Sequence, residues 1–292
     1  MDKNFIAERQ SALQNYLNLI LMNPILASSL GVRKFLDPQN YVLSLQELAL
    51  QHVSMALRSE VNYELIKPIS EMGWRLRKHY FLVKSKMNPR AEMVLQWVEY
   101  GPDKYLDDKD LSTVLKCLVN LNHPHIEKLE FVHCGDGGSF VVRQLHQCGT
   151  LRDVICSTKP KTSFLKKYGS PKQVKPLQLH EISTYGYQIL ETLIFLHEKG
   201  IPFGHLHLGN ILLLDNSIHL LDIENGVLGL PSYYRPFFVQ HKKINTLEAI
   251  DVYSFGHVLF EMAFGHPLHE SICDNIPPSC PSQIRKDRHQ TQ

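Results

Sequence analysis

Residues 196–213 read LHEKGIPFGHLHLGNILL, and residues 218–222 read IHLLD. Ile211, Leu212, Leu213, Leu220 and Leu221 read as core. Just upstream, residues 182–199 give the clearest helix in the chain, because Ile182, Tyr185, Ile189, Leu193 and Leu196 recur at helical spacing. Before residue 149 the period changes. Tyr80, Leu82 and Lys84 alternate with Phe81 and Val83, which predicts a strand within residues 74–86. A second strand is expected over 91–99, after the Asn88-Pro89 turn, and a helix over 107–120. Further strands are expected at 131–134 and 140–144, around a turn at 135–138. Strands followed by helices predict an α+β chain of two lobes.

Composition sets outer limits. The chain has 292 residues, with 31 Lys+Arg against 29 Asp+Glu, 43% hydrophobic and 21% charged residues. These are ordinary globular values and exclude collagen-like, wholly disordered and coiled-coil classes. No apolar run approaches the roughly 18 residues of a membrane span. A net charge of +2 gives no argument for nucleic acid. Cys117, Cys134, Cys148, Cys156, Cys273 and Cys280 form no CxxC pair and read as thiols of a reducing compartment. The opening MDKNFIAERQ has no signal core, so a cytoplasmic chain is expected. His123, His125 and His133 lie close together but are not read as a metal site.

The stretch at 196–222 resembles the catalytic core of the protein-kinase family, whose pattern is roughly LHxxGIxHRDLKPxNILL followed by IKLxDFG. Other matches follow in the family's order. Val83-Lys84 resembles the strand lysine, 121–126 the segment after the regulatory helix, and 149–153 the turn after the hinge. Residues 251–265 resemble the buried helix of the C-lobe. The resemblance implies a protein-kinase-like bilobal fold with a small antiparallel N-lobe sheet and a helical C-lobe lacking its last helices. It also implies roles for particular residues. Lys84 would contact the α- and β-phosphates of ATP, and Asn210 and Asp222 would hold magnesium. Asp251 would cap its helix and brace the catalytic loop.

Other positions depart from the family pattern. The catalytic aspartate is replaced by His205, the preceding arginine by Gly204 and the following lysine by His207. A neutral imidazole accepts a proton but supplies no carboxylate charge. Ile223 and Glu224 follow Asp222 in place of phenylalanine and glycine, and Glu224 adds negative charge where nucleotide phosphates would lie. The phosphate-covering loop holds one glycine, Gly73, followed by Trp74, Arg75, Leu76 and Arg77. Val114 stands where the regulatory-helix glutamate belongs, with Asp110 one turn earlier. Tyr234-Arg235-Pro236-Phe237 only loosely resembles the end of an activation segment.

Residues 5–22 form an amphipathic helix through Ile6, Leu13, Leu17, Ile20 and Leu21, and a second short helix is expected over 26–35. With the FL near residue 35, they resemble the C-terminal helices of a PX domain, a phosphoinositide-binding module. That resemblance puts Arg9 against a lipid phosphate. The order of segments resembles the PX kinase-like family. The expected domains are an incomplete PX part at 1–38, a helical connector at 39–69, a kinase-like domain at 70–268 and a disordered tail at 269–292. Truncation at both ends is expected, with phosphoinositide binding weak or lost and no WH2 motif. The family implies a cytoplasmic protein peripheral to plasma or endosomal membranes, with trafficking partners and sodium/potassium pump subunits. Three readings stand: a pseudokinase scaffold in membrane traffic, which the residues favour; an atypical ATP-dependent serine/threonine kinase; and a phosphoinositide-binding adaptor.

Overall fold

The computed structural model describes residues 3–22, 30–37, 45–60, 62–69, 78–135, 137–159, 173–239 and 241–268, with 26, 162, 167, 168 and 171. The expectations for Gly73–Arg77 and for the tail at 269–292 lie outside the described residues. Helices α1 (Lys3–Met22) and α2 (Leu30–Leu36) stand where the periodicity predicts helix. Phe5, Ile6, Leu13 and Leu19 of α1 are exposed. Arg9 is exposed as well.

The next helix, α3 (Leu45–Ser59), carries Ala49, Val53 and Leu57 on one side. Spacing of four residues stacks them into a stripe. That stripe packs on a five-stranded antiparallel sheet of β1 (Tyr63–Pro68), β2 (Lys78–Ser85), β3 (Glu92–Glu99), β4 (Phe131–Gly135) and β5 (Gly138–Gln144). The spatial order is β1-β2-β3-β5-β4. Residues 39–69 therefore do more than connect: they supply both a sheet strand and the helix that roofs it.

Alternation divides the sheet into two faces. Phe81, Val83, Met93, Leu95, Trp97, Phe140 and Val142 meet α3 in one apolar cluster. The opposite face carries Lys78, Tyr80, Val94, Gln96, Val98, Val141 and Arg143, by the registers Lys78↔Val98, Tyr80↔Gln96, Gln96↔Val141 and Val94↔Arg143. Val98 and Val141 continue into the second core with Leu111, Leu115 and Leu118 of α4 (Asp108–Val119). Asp107 starts that helix by accepting the Asp110 N–H at 2.8 Å.

The second lobe is built on α6 (Leu179–Glu198) and α8 (Leu247–Phe264), with the short helices α5 (Leu151–Ile155) and α7 (Arg235–Phe238). Ile189, Leu193, Val258 and Met262 belong to the same core as the hairpin β6 (Ile211–Leu214) and β7 (Ser217–Leu220). Thr246 is the N-cap of α8 and accepts the Ala249 N–H. Asp251, expected to cap this helix, lies inside it instead. Lys167 is buried 3.0 Å from Asp153, and the Tyr168 hydroxyl donates to Asp153 at 2.6 Å.

Replacing Val53 by Asp places an unpaired charge between α3 and the apolar face of the sheet it covers. It is expected to lower the denaturation midpoint and speed amide exchange across 45–59, which exchange mass spectrometry reads. A second expectation concerns acid. His257 is buried in α8 and stacked on Tyr234 at 4.3 Å between centroids. Burial pulls its pKa from 6.5 down to about 4. The unfolded chain takes up a proton first, so this contribution is complete above pH 6.5 and is lost as pH falls towards 4. Denaturant titrations at stepped pH should show that loss, and His257→Phe should flatten it.

Candidate functional site

The cleft between the lobes is lined by the inner sheet face and by the residues after β7. Two cations come from the sheet. Lys78 opens β2 and Arg143 lies one residue before the end of β5. Two carboxylates, Asp222 and Glu224, come from the segment after β7. Asp222 has a left-handed backbone with φ of 67°, uncommon for a residue with a side chain.

These four residues meet. Lys78 Nζ is 2.9 Å from Asp222 Oδ1 and 3.8 Å from Glu224 Oε1. Arg143 Nη1 donates to Asp222 Oδ1 at 3.2 Å, and Nη2 donates to both oxygens of Glu224 at 2.9 Å. Arg143 is 1% exposed and Glu224 0%. Burial opposes the charge of Arg143, but Glu224 and Asp222 outweigh it and its pKa is raised. Burial lowers the Lys78 pKa, and the same carboxylates work against that shift. Two cations and two anions give a cluster of zero net charge, the condition under which buried ions persist.

The structure corrects the assignment of Lys84. Lys84 is exposed near the far end of β2, opposite Glu92. It shares a sheet face with Lys78 but stands six residues on, roughly 20 Å along a strand. The cleft lysine is Lys78. On β3 the corresponding cleft position is held by Gln96, buried and facing Tyr80 and Val141 in register.

Asn210 and His205 lie in the loop that precedes β6. The Asn210 amide donates to the His205 carbonyl at 2.6 Å, and its oxygen accepts the His207 N–H at 3.1 Å. Both ends of the side chain thus brace the loop. His205 is buried. The His207 ring accepts the Gly209 N–H at 3.0 Å and stacks on Tyr233 at 4.6 Å. Asp251 accepts the N–H groups of Phe203 at 2.8 Å and Gly204 at 2.6 Å, and pairs with His197 at 2.8 Å. Its bracing of the loop is therefore present, although helix capping is not. Burial raises the Asp251 pKa against these bonds.

Several interactions were not anticipated. Lys78, Gln96 and Arg143 needed the strand register to be recognised. An arginine at the end of the apolar run Phe140-Val141-Val142 was the available signal, since an interior cation requires a buried partner. Arg152 pairs with Glu261 at 3.3 Å and donates to the Tyr233 hydroxyl at 2.9 Å. This contact joins α5, α8 and the segment before α7.

Residues 86–279 match the model of the protein kinase domain. The chain belongs to the protein kinase family. It is 50% identical over 279 residues to the PX domain-containing protein kinase-like protein of Mus musculus, covering 96% of this chain and 48% of that protein. The chain thus spans about half the length of that relative. It is 32% identical to the probable inactive serine/threonine-protein kinase slob1 of Dictyostelium discoideum, over 76% of this chain and 43% of that one. Slowpoke-binding protein of Drosophila melanogaster is 30% identical, over 70% of this chain and 41% of that protein. A crystal structure of Rad53 1-466 in complex with AMP-PNP has the same fold, with a TM-score of 0.52 at 17% identity, covering 77% and 52% of the two chains.

A kinase fold is compatible with nucleotide binding, but the side chains of this cleft do not fit magnesium and a triphosphate. Asp222 Oδ1 already carries two cations, the Asn210 carboxamide braces its own loop, and Glu224 brings a second carboxylate into the site. Removing one member of the cluster leaves a charge buried without its partner. Arg143→Met is therefore expected to destabilise the chain by about 3–5 kcal/mol, and Arg143→Met with Glu224→Met to recover most of that loss. Denaturant unfolding of the two single variants and the double variant measures the coupling.

Proposed function

We propose that this chain is a pseudokinase-type binding scaffold whose partner is a membrane protein, a channel or an ion pump. The observation that carries the reading is the engagement of Asp222 by Lys78 and Arg143, in a lobe whose catalytic aspartate position is His205. Phosphoryl transfer depends on positioning and charge around the transferred group. Here the carboxylate needed for a metal is neutralised within the protein, and an imidazole replaces the carboxylate beside the acceptor.

One relative supports the lack of turnover and another supports a binding role. One is named a probable inactive kinase, and another is named for binding Slowpoke. In this proposal the chain works at the cytoplasmic face of the plasma or endosomal membrane, in membrane traffic, and presents the kinase-like lobes as a binding body. A protein scaffold needs stable surfaces and no turnover, which a cleft closed by its own side chains provides.

The test is incubation of purified chain with radiolabelled ATP and magnesium, with a generic protein substrate and with itself. Incorporation is expected to match that of an Asp222→Ala control. Transfer that survives purification and vanishes in Asp222→Ala would overturn the scaffold reading.

A further inference from the structure

In a kinase, magnesium brings positive charge to the cleft carboxylates and the nucleotide phosphates bring negative charge to the sheet lysine. In this chain both jobs have candidates among its own residues. Lys78 and Arg143 stand on the inner face of the first lobe's sheet, on β2 and β5. Asp222 and Glu224 stand at the start of the segment that leads into the second lobe. Each of the four ion pairs Lys78–Asp222, Lys78–Glu224, Arg143–Asp222 and Arg143–Glu224 runs from the sheet to that segment. The guanidinium of Arg143 reaches both carboxylates, which fixes their spacing as well as their charge.

A second contact spans the same gap from the loop between β3 and α4. The Gly101 N–H donates to Leu228 O at 2.9 Å, and the Asp103 N–H donates to Gly229 O at 3.1 Å. A Cβ on Gly101 would fall 1.7 Å from Gly229 O, so the two backbones touch where only glycine fits. Gly229 has a φ of 73°, and a Cβ there would meet Lys104 N at 2.0 Å. Arg235 pairs with Asp103 beside this crossing. The segment 222–235 is thereby tied to the sheet lobe at three places, by ions at 222–224, by backbone at 228–229 and by Arg235 at its far end.

We propose that the Lys78–Arg143–Asp222–Glu224 cluster is a built-in clasp that holds the lobes together without ligand and shuts magnesium nucleotide out of the cleft. This rests on the scaffold reading and extends it: Arg143 and Glu224 form the occluding pair, while Lys78 and Asp222 are the residues a nucleotide and its metal would need.

The clasp predicts that the cleft can be reopened. Thermal unfolding of the full chain is followed against ATP and magnesium, for wild type and for the variant carrying Arg143→Leu and Glu224→Gly. The wild-type midpoint should stay constant across the titration, and the variant midpoint should rise with ATP concentration. A rising wild-type midpoint would overturn the clasp. So would a folded variant whose midpoint does not respond. Phosphate incorporation by wild type would instead sink the scaffold reading, so the two failures are distinguishable.

A measurement on ligand-free wild type keeps the proposal testable if the variant does not fold. Amide exchange at Gly101 and Asp103 should be as slow as that of the sheet, because these two N–H groups donate across the lobes to Leu228 O and Gly229 O. Exchange at the rate of unprotected peptide would show that the lobes part freely, contrary to the clasp.

Discussion

The bidentate pair of Arg143 and Glu224 is the constraint on which the site depends. Its two ions are almost wholly buried, and either ion alone would be untenable there. Once the pair is present, Asp222 is drawn into it through Arg143 Nη1, and Lys78 completes the charge balance. The four charges of the cleft balance one another inside the protein. The departure from a kinase cleft is electrostatic, since the surrounding elements keep their kinase-like order.

The scaffold around the cluster is correspondingly reinforced. Helix α3 covers the outer sheet face, where Phe81, Leu95 and Trp97 would otherwise meet water. Beneath the sheet, Leu111, Leu115 and Leu118 hold α4 to Val98 and Val141. The strands bearing Lys78 and Arg143 are thus packed on both faces. In the other lobe, Asp251 reaches from α8 to the backbone of Phe203 and Gly204 and fixes the loop that carries His205. The bracing of a catalytic loop is present around an imidazole.

Much of this was legible in one dimension. The helical spacing of Ile189, Leu193 and Leu196 and the alternation of Phe81 and Val83 correctly place α6 and β2. Substitution of the catalytic aspartate by His205, and the extra charge at Glu224, need no coordinates. Lys84 failed for a specific reason. Val83-Lys84 looks like the end of a lysine-bearing strand, but strand β1 lies at Tyr63–Pro68, within residues read as connector. Counting one strand too few moved the expected lysine to the wrong strand. Alternation could not repair the error, because Lys78 and Lys84 have the same parity on the same strand.

The sequence by itself determined the family, the two-lobed order of elements and the presence of His205 where the family pattern has an aspartate, because these reside in local patterns and residue identities. Tertiary structure decided what the remaining charges do. Lys78 is separated from Asp222 along the chain by most of the domain, yet their atoms lie 2.9 Å apart. Only the register of β2, β3 and β5 turns Lys78 and Arg143 to one face, and only the closure of the lobes brings Asp222 and Glu224 beneath them. Charge pairing depends on distance in space, so the neutralisation of this cleft appears only in the folded chain.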